Sequence, residues 1–193
     1  MIEVEKKFSL TPDQMKRIEE SAEFVKEVIN TDIYYDTPNY DLMRKNHHLR
    51  IRNGEWELKV PIGKKNSANT VFEELTDVDE IFKQLNLKQL SGNLEENLKQ
   101  NGFEILAKLV TKHRKFKIQE FNIDVDEVDY GYSLCEIEKM VENEGEVEKA
   151  TKEIFDLAGT LGLEIKKVRG KGMEYFFRFN PEAYKIYESV RYE

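Results

Sequence analysis

A single cysteine, Cys135, stands in the 193 residues, so no internal disulfide can form and the chain suits a reducing cytosol. No apolar run is long enough to span a bilayer, and the first residues lack the pattern of a secretory signal. The expectation is a cytoplasmic chain with no membrane partner. Repeats, low-complexity stretches and linkers rich in Pro, Gly and Ser are also missing. One domain over residues 1–193 fits this length, and two small ones would fit it as well. Excess positive charge is absent too. With 30 Lys and Arg against 38 Asp and Glu the net charge is −8, which argues against nucleic acid as the main partner. A small cationic pocket remains compatible with that balance, because a concave site focuses local charge.

What the chain does have is alternation. In Ile2-Glu3-Val4-Glu5-Lys6-Lys7-Phe8 a strand would send Glu3, Glu5 and Lys7 to one face and Ile2, Val4 and Phe8 to the other. Two carboxylates and an ammonium on one face suit a Mg²⁺ ion and a phosphate, since hard cations take oxygen ligands and lysine offers a point charge. A solvated face rich in Glu and Lys has the same pattern, so this strand alone decides nothing. The pattern recurs, however. Glu57 and Lys59 oppose Trp56, Leu58 and Val60, while His48, Arg50 and Arg52 oppose Leu49 and Ile51. Asp124 and Asp126 oppose Ile123 and Val125, and Glu136 and Glu138 oppose Cys135 and Ile137.

Thr11-Pro12-Asp13-Gln14 opens a helix, with Thr11 as cap, Pro12 in the first position and Gln14 completing a capping box. Met15, Ile18, Ala22 and Val25 or Val28 extend its apolar stripe. A strand over 32–35 ends at Asp36-Thr37-Pro38, and Leu42-Met43 suggests a helical turn. Asn53-Gly54 predicts a two-residue hairpin between 47–52 and 55–60. Further strands are expected at 71–75, 103–118, 121–128 and 133–141, with an aromatic one at 173–179. Residues 78–102 read as helical pieces broken near Ser91-Gly92 and Gly102, and 147–161 as an amphipathic helix closed by Gly162.

About eight strands joined mostly by hairpins give an α+β expectation: an antiparallel β-barrel with flanking helices. Its charged faces have two arrangements open to them. They can be outward and wet, or helices can cover the apolar faces and leave the charges lining a polar tunnel. Charges in a lumen must pair with one another or with bound metal and anion. Trp56 and Cys135 belong to the apolar side, and His47 and His113 read as hairpin or surface contacts. The acidic run over 142–148 reads as a solvated loop leading into a helix.

Glu3-x-Glu5-x-Lys7, Arg50-x-Arg52, Lys59, Glu74 and Glu136-x-Glu138 together resemble the signature of the CYTH superfamily, the triphosphate tunnel metalloenzymes. Tyr34-Tyr35-Asp36-Thr37-Pro38, Leu42-Met43, His47, Leu49-Arg50 and Trp56-Glu57-Leu58-Lys59 resemble its thiamine triphosphatase branch. Asp124, Asp129-Tyr130-Gly131-Tyr132, Glu136-Ile137-Glu138, Lys171, Tyr175 and Arg178-Phe179 continue that match in order. The resemblance implies an eight-stranded antiparallel barrel forming a polar tunnel. It also implies an enzyme that hydrolyses a triphosphate with Mg²⁺, or Mn²⁺ in its place, with thiamine triphosphate going to thiamine diphosphate and phosphate.

By the same resemblance Glu3, Glu5, Asp124, Glu136 and Glu138 form the metal shell, with Glu74 as a helper. Lys7, Arg50, Arg52, Lys59 and Lys171 hold phosphate oxygens, and Tyr34 pairs with Lys59 for proton chemistry. A strand-end aromatic packed on a helix is the other account of Tyr34. On strand 103–118 two registers stay open: one turns Lys112 and Arg114 toward the site, and the other turns His113 there. The expectation adopted is Arg114 with Lys112. One departure concerns the leaving group. Where mammalian-type enzymes carry a tryptophan thought to stack on the thiamine ring, this chain has His48, which stacks less area. Inorganic tripolyphosphate or nucleoside triphosphate hydrolysis, adenylyl cyclisation and non-catalytic polyphosphate binding are the alternatives. A small-molecule triphosphate is the expected partner of a monomeric chain.

Overall fold

The computed structural model describes residues 2–62, 71–88 and 92–192. Eight strands form one sheet in the order β1-β8-β7-β6-β2-β3-β4-β5. The β1–β8, β8–β7, β7–β6, β2–β3, β3–β4 and β4–β5 pairings are all antiparallel. The strands are β1 (Ile2–Ser9), β2 (Glu23–Asp36), β3 (His48–Arg52), β4 (Glu55–Ile62), β5 (Val71–Leu75), β6 (Glu104–Ile118), β7 (Phe121–Val128) and β8 (Tyr132–Val141). Six helices accompany them among the described residues: α1 (Pro12–Ser21), α2 (Val78–Leu85), α3 (Leu94–Gln100), α4 (Val147–Thr160), α5 (Lys171–Phe179) and α6 (Pro181–Tyr192). The eight-stranded antiparallel sheet with flanking helices is therefore the architecture expected.

The chain divides into two compact units. The first comprises Met1–Ile29 and Val110–Glu174. Here α1 begins as its sequence requires: Thr11 accepts from the Gln14 amide, and the Gln14 side chain accepts from the Thr11 amide. Val4, Phe8, Phe116, Ile123, Val125, Cys135 and Ile137 turn one sheet face toward Ile18 of α1 and toward Ala150, Ile154 and Ala158 of α4. That face is the apolar half of the alternation. Burying a side chain such as Phe8 or Ile137 contributes about 1.5–3 kcal/mol each.

The second unit comprises Asn30–Leu109 and Tyr175–Glu193. Asn53 and Gly54, both at positive φ, make the β3–β4 turn, for which asparagine and glycine carry little steric cost. Tyr35, Leu49 and Leu58 pack with Ile81 of α2 and with Leu94 and Leu98 of α3, and Trp56 lies against Tyr35. A short 3-10 turn at Met43–Lys45 stands where a helical turn was expected, and its amides are tied to the buried Asp36 carboxylate.

Three segments differ from the expectation. The stripe through Val25 or Val28 does not continue α1, because the Ala22 amide closes the helix on Ile18 and β2 begins at Glu23. The run Phe24, Val25, Val28, Ile29 and Thr31 is dominated by residues that favour strands. Residues 173–179 are helical rather than extended, within α5. Their aromatics suggest a strand, but the buried positions, Met173 and Phe176, are three apart, as on a helix face. Helix α6 has no counterpart among the expected elements. The break expected near Ser91 falls partly outside the described residues, while Gly92 and Gly102 follow at positive φ.

Candidate active site

In the first unit the register gathers the charged half of the alternation onto one sheet face. Glu5 pairs with Glu138 and Lys7 with Glu136 across β1–β8, and Asp124 pairs with Glu136 across β7–β8. Each acid cluster is bridged by a lysine. Lys7 Nζ bonds Glu5 and lies 2.9 Å from Glu136 Oε1. Lys115 Nζ lies 3.3 Å from Asp124 Oδ1 and 3.8 Å from Glu138 Oε2. Lys171 Nζ lies 2.6 Å from Asp126 Oδ2, and His113 Nδ1 is 2.8 Å from that carboxylate's other oxygen.

Burial sets the protonation tendencies. Glu138 is pushed up to about 8 by desolvation and by the charges of Asp124, Glu3 and Glu136, against the pull of Lys115. Desolvation raises Glu136 as well, with Lys7 opposing. Burial disfavours the Lys7 charge, yet Glu136 and Glu5 outweigh it and raise the ammonium. Asp126 goes the other way: burial would raise it, but His113 and Lys171 hold it low.

This face suits a hard divalent cation. Glu5, Glu136 and Glu138 can each offer an oxygen, all within 4.8 Å of one another. Asp124 Oδ1 is buried and receives no hydrogen bond. The Lys115 ammonium 3.3 Å away compensates its charge in part without a well-formed hydrogen bond, and a divalent cation would compensate it more fully. Glu3 lies on the same face and is exposed.

In the second unit three cations meet three acids. Arg52 donates from Nε and Nη2 to the two oxygens of Asp32 at 2.7 and 2.9 Å, and Asp32 is fully buried. Arg50 donates to Glu57 at 2.9 Å and to the Tyr34 hydroxyl at 3.4 Å. Lys59 bonds Glu74 and lies 3.8 Å from Glu57. Burial works against the Arg50 charge, but Tyr34, Glu57 and Asp32 together raise its pKa. Buried Asp32, Arg50, Asp124, Asp126 and Glu138 exclude a plain solvated face in either unit.

Several expectations need correction. Lys112 and Arg114 lie on the other side of β6. Lys112 pairs with Glu27, and Arg114 with Glu19 of α1 and with Glu127. His113 and Lys115 take their place beside Asp126 and Asp124. The β6–β7 turn at Gln119–Glu120 fixes this register, pairing Ile118 with Phe121 and His113 with Asp126. A two-residue turn counted back from Asp126 would have found it, but Gln119 at positive φ lacks the usual Asn-Gly signature. His113 is thus no surface contact. Glu74 serves Lys59 instead of joining the acid cluster, and its carboxyl is held low by that ammonium despite desolvation. The expected Tyr34–Lys59 pair is not formed among the described residues, since the Tyr34 hydroxyl meets Arg50. Asp32 and Glu57, which aim the arginines, had no assigned role.

Comparison with known proteins assigns this sheet, with acids and cations arrayed on its strands, to a family. The CYTH domain model matches residues 1–170, so the chain belongs to the CYTH family. It is 32% identical to the human thiamine-triphosphatase, over 96% of this chain and 88% of that protein. The thiamine-triphosphatase of Macaca fascicularis is 30% identical over the same shares. Among solved structures, the PH1819 protein of Pyrococcus horikoshii superposes with a TM-score of 0.64 at 27% identity, covering 92% of this chain and 99% of that one. No helix among the described residues is long and apolar enough to cross a membrane.

Proposed function

We propose that this protein hydrolyses the terminal phosphoanhydride of thiamine triphosphate, giving thiamine diphosphate and phosphate, with Mg²⁺ as cofactor. The observation that carries this reading is the convergence of Glu5, Glu136 and Glu138 beside the buried Asp124 Oδ1, which forms no hydrogen bond. These four residues would hold the ion, with Glu3 beside them. Bound there, Mg²⁺ would neutralise phosphate charge and favour attack by water.

The chain's own cations do the rest. Arg50 and Arg52 present planar forks already oriented by Glu57 and Asp32, and Lys59, Lys7 and Lys171 supply point charges. Lys115 replaces Arg114 in this role. Water adds to the terminal phosphorus, the bond to the bridging oxygen breaks, and charge builds on the departing diphosphate. Fixed cations stabilise that charge without having to reorganise, and this is most of what phosphoryl transfer asks of a protein. Tyr34 orients Arg50.

A second reading, inorganic tripolyphosphate as substrate, is favoured by one contact. The His48 ring is engaged by Phe72 and Tyr187, with centroids 5.6 and 5.4 Å away, and so is not an open stacking platform. Phosphate release with excess Mg²⁺ from thiamine triphosphate, tripolyphosphate and ATP, compared by kcat/KM, tests both. Highest efficiency on thiamine triphosphate supports the first reading, and highest efficiency on tripolyphosphate selects the second. No release from any of the three overturns hydrolysis.

A further inference from the structure

Two of the lysines of the acid face, Lys7 and Lys115, are held differently. Lys7 is hydrogen-bonded to Glu5 and reaches Glu136 at 2.9 Å. Lys115 stands off at 3.3 Å from Asp124 and 3.8 Å from Glu138, and it leaves Asp124 Oδ1 without a hydrogen bond. Asp124 and Glu138 are buried, whereas about a quarter of the Lys115 side chain reaches solvent. Its four-carbon stem therefore has room to swing away without exposing either acid. A monovalent ammonium at this distance partly compensates two carboxylates and satisfies neither. A divalent ion would do both.

We propose that Lys115 is a tethered counter-cation of the metal site: it compensates Asp124 beside Glu138 in the metal-free protein and is displaced when the metal binds. This rests on the metal-binding reading above and adds that Lys115 sets the metal affinity. In metal-free protein the lysine suppresses repulsion between the two acids. Metal entry must first break that ion pair, so the wild-type affinity is lowered by the strength of the pair. Lys7 is held more closely than Lys115, by Glu5 and by Glu136.

The test is Mn²⁺ binding by the full chain without substrate, followed from the free-ion paramagnetic resonance signal. Lys115→Met and Lys115→Gln are expected to bind Mn²⁺ more tightly than wild type, on the order of tenfold. Lys115→Arg, which keeps the charge, is expected to stay near wild type. In the wild-type protein, Mn²⁺ is expected to increase acetylation of Lys115 by a lysine-directed reagent, read by mass spectrometry, while Lys7 is unchanged. Equal or weaker binding by the Met and Gln variants, with Lys115 acetylation unmoved by the ion, overturns the proposal and leaves the metal site standing. Absence of Mn²⁺ binding by wild type, or binding undiminished in Glu136→Gln/Glu138→Gln, overturns the metal reading and this proposal with it.

Discussion

The two units use one sequence device with different charge balance. In the first, acids are in excess and lysines serve them: Lys7, Lys115 and Lys171 each sit on carboxylates of β1, β7 and β8. In the second, acids and cations are matched one to one, with Asp32, Glu57 and Glu74 paired to Arg52, Arg50 and Lys59. The choice of residue follows. A guanidinium held bidentately by a buried carboxylate is rigid and keeps its charge at any ordinary pH. An ammonium on a flexible stem neutralises acids and can give way. On the proposal above, the first face exchanges its counter-charge while the second keeps its geometry.

The sharpest break should come from removing the acids themselves. Glu136→Gln together with Glu138→Gln is expected to lower phosphate release by about 10³-fold or more, with the thermal melt retained, because the proposed ion loses two of its ligands. Survival of turnover would show that these acids hold no essential ion. Next is Asp32→Ala, which leaves Arg50 and Arg52 without their buried partner. Removing one member of a buried pair costs about 3 kcal/mol, read from the shift of the urea midpoint, and KM for the triphosphate should rise with it. The corresponding change on the other face, Glu5→Ala, should cost less, since Glu5 is exposed.

A third effect separates the faces by pH. Glu138, at about 8, is raised above an ordinary carboxyl, so the metal-free folded state holds a proton that the unfolded chain has released. Stability from this group is present below the ordinary carboxyl range and is lost as pH rises toward 8. A metal binding here must expel that proton. Mn²⁺ affinity should therefore climb with pH, by at most about tenfold per unit, and level off near 8. Calorimetry across pH 6 to 9 checks this, and a flat profile would remove Glu138 from the ligand set. The smallest effect is Glu74→Gln. Its pair with Lys59 is half exposed, so unfolding free energy should move by less than about 1 kcal/mol, while the freed ammonium changes KM only modestly.

Much of this was readable in advance because parity is a strong constraint. One buried face per strand constrains the side chains on that strand, and β1, β3, β4, β7 and β8 follow it at most positions, with Lys6, Glu127, Val128, Leu134 and Lys139 as exceptions. The failures share a cause: local pattern without the partner that settles it. The β6 alternation is legible in both registers, and only its turn with β7 selects His113 and Lys115. The β2 segment carries apolar residues on both faces, so helical and extended periodicities fit it equally. For α5, aromatic content outweighed spacing. Roles that depend on cross-strand distances, such as the service of Asp32 to Arg52, had no signal along the chain.

Cys135 has a use of its own. It is fully buried between Leu134 and Glu136, and desolvation, reinforced by Glu136, raises its thiol well above the usual range. Such a thiol is invisible to alkylating reagents until β8 opens. Because β8 pairs with β1 and β7, opening it dismantles the acid face as well. The chain thus contains its own stopwatch: the labelling half-life of one sulfur times the opening of the face that would hold the ion, and its lengthening on metal addition converts directly into binding free energy.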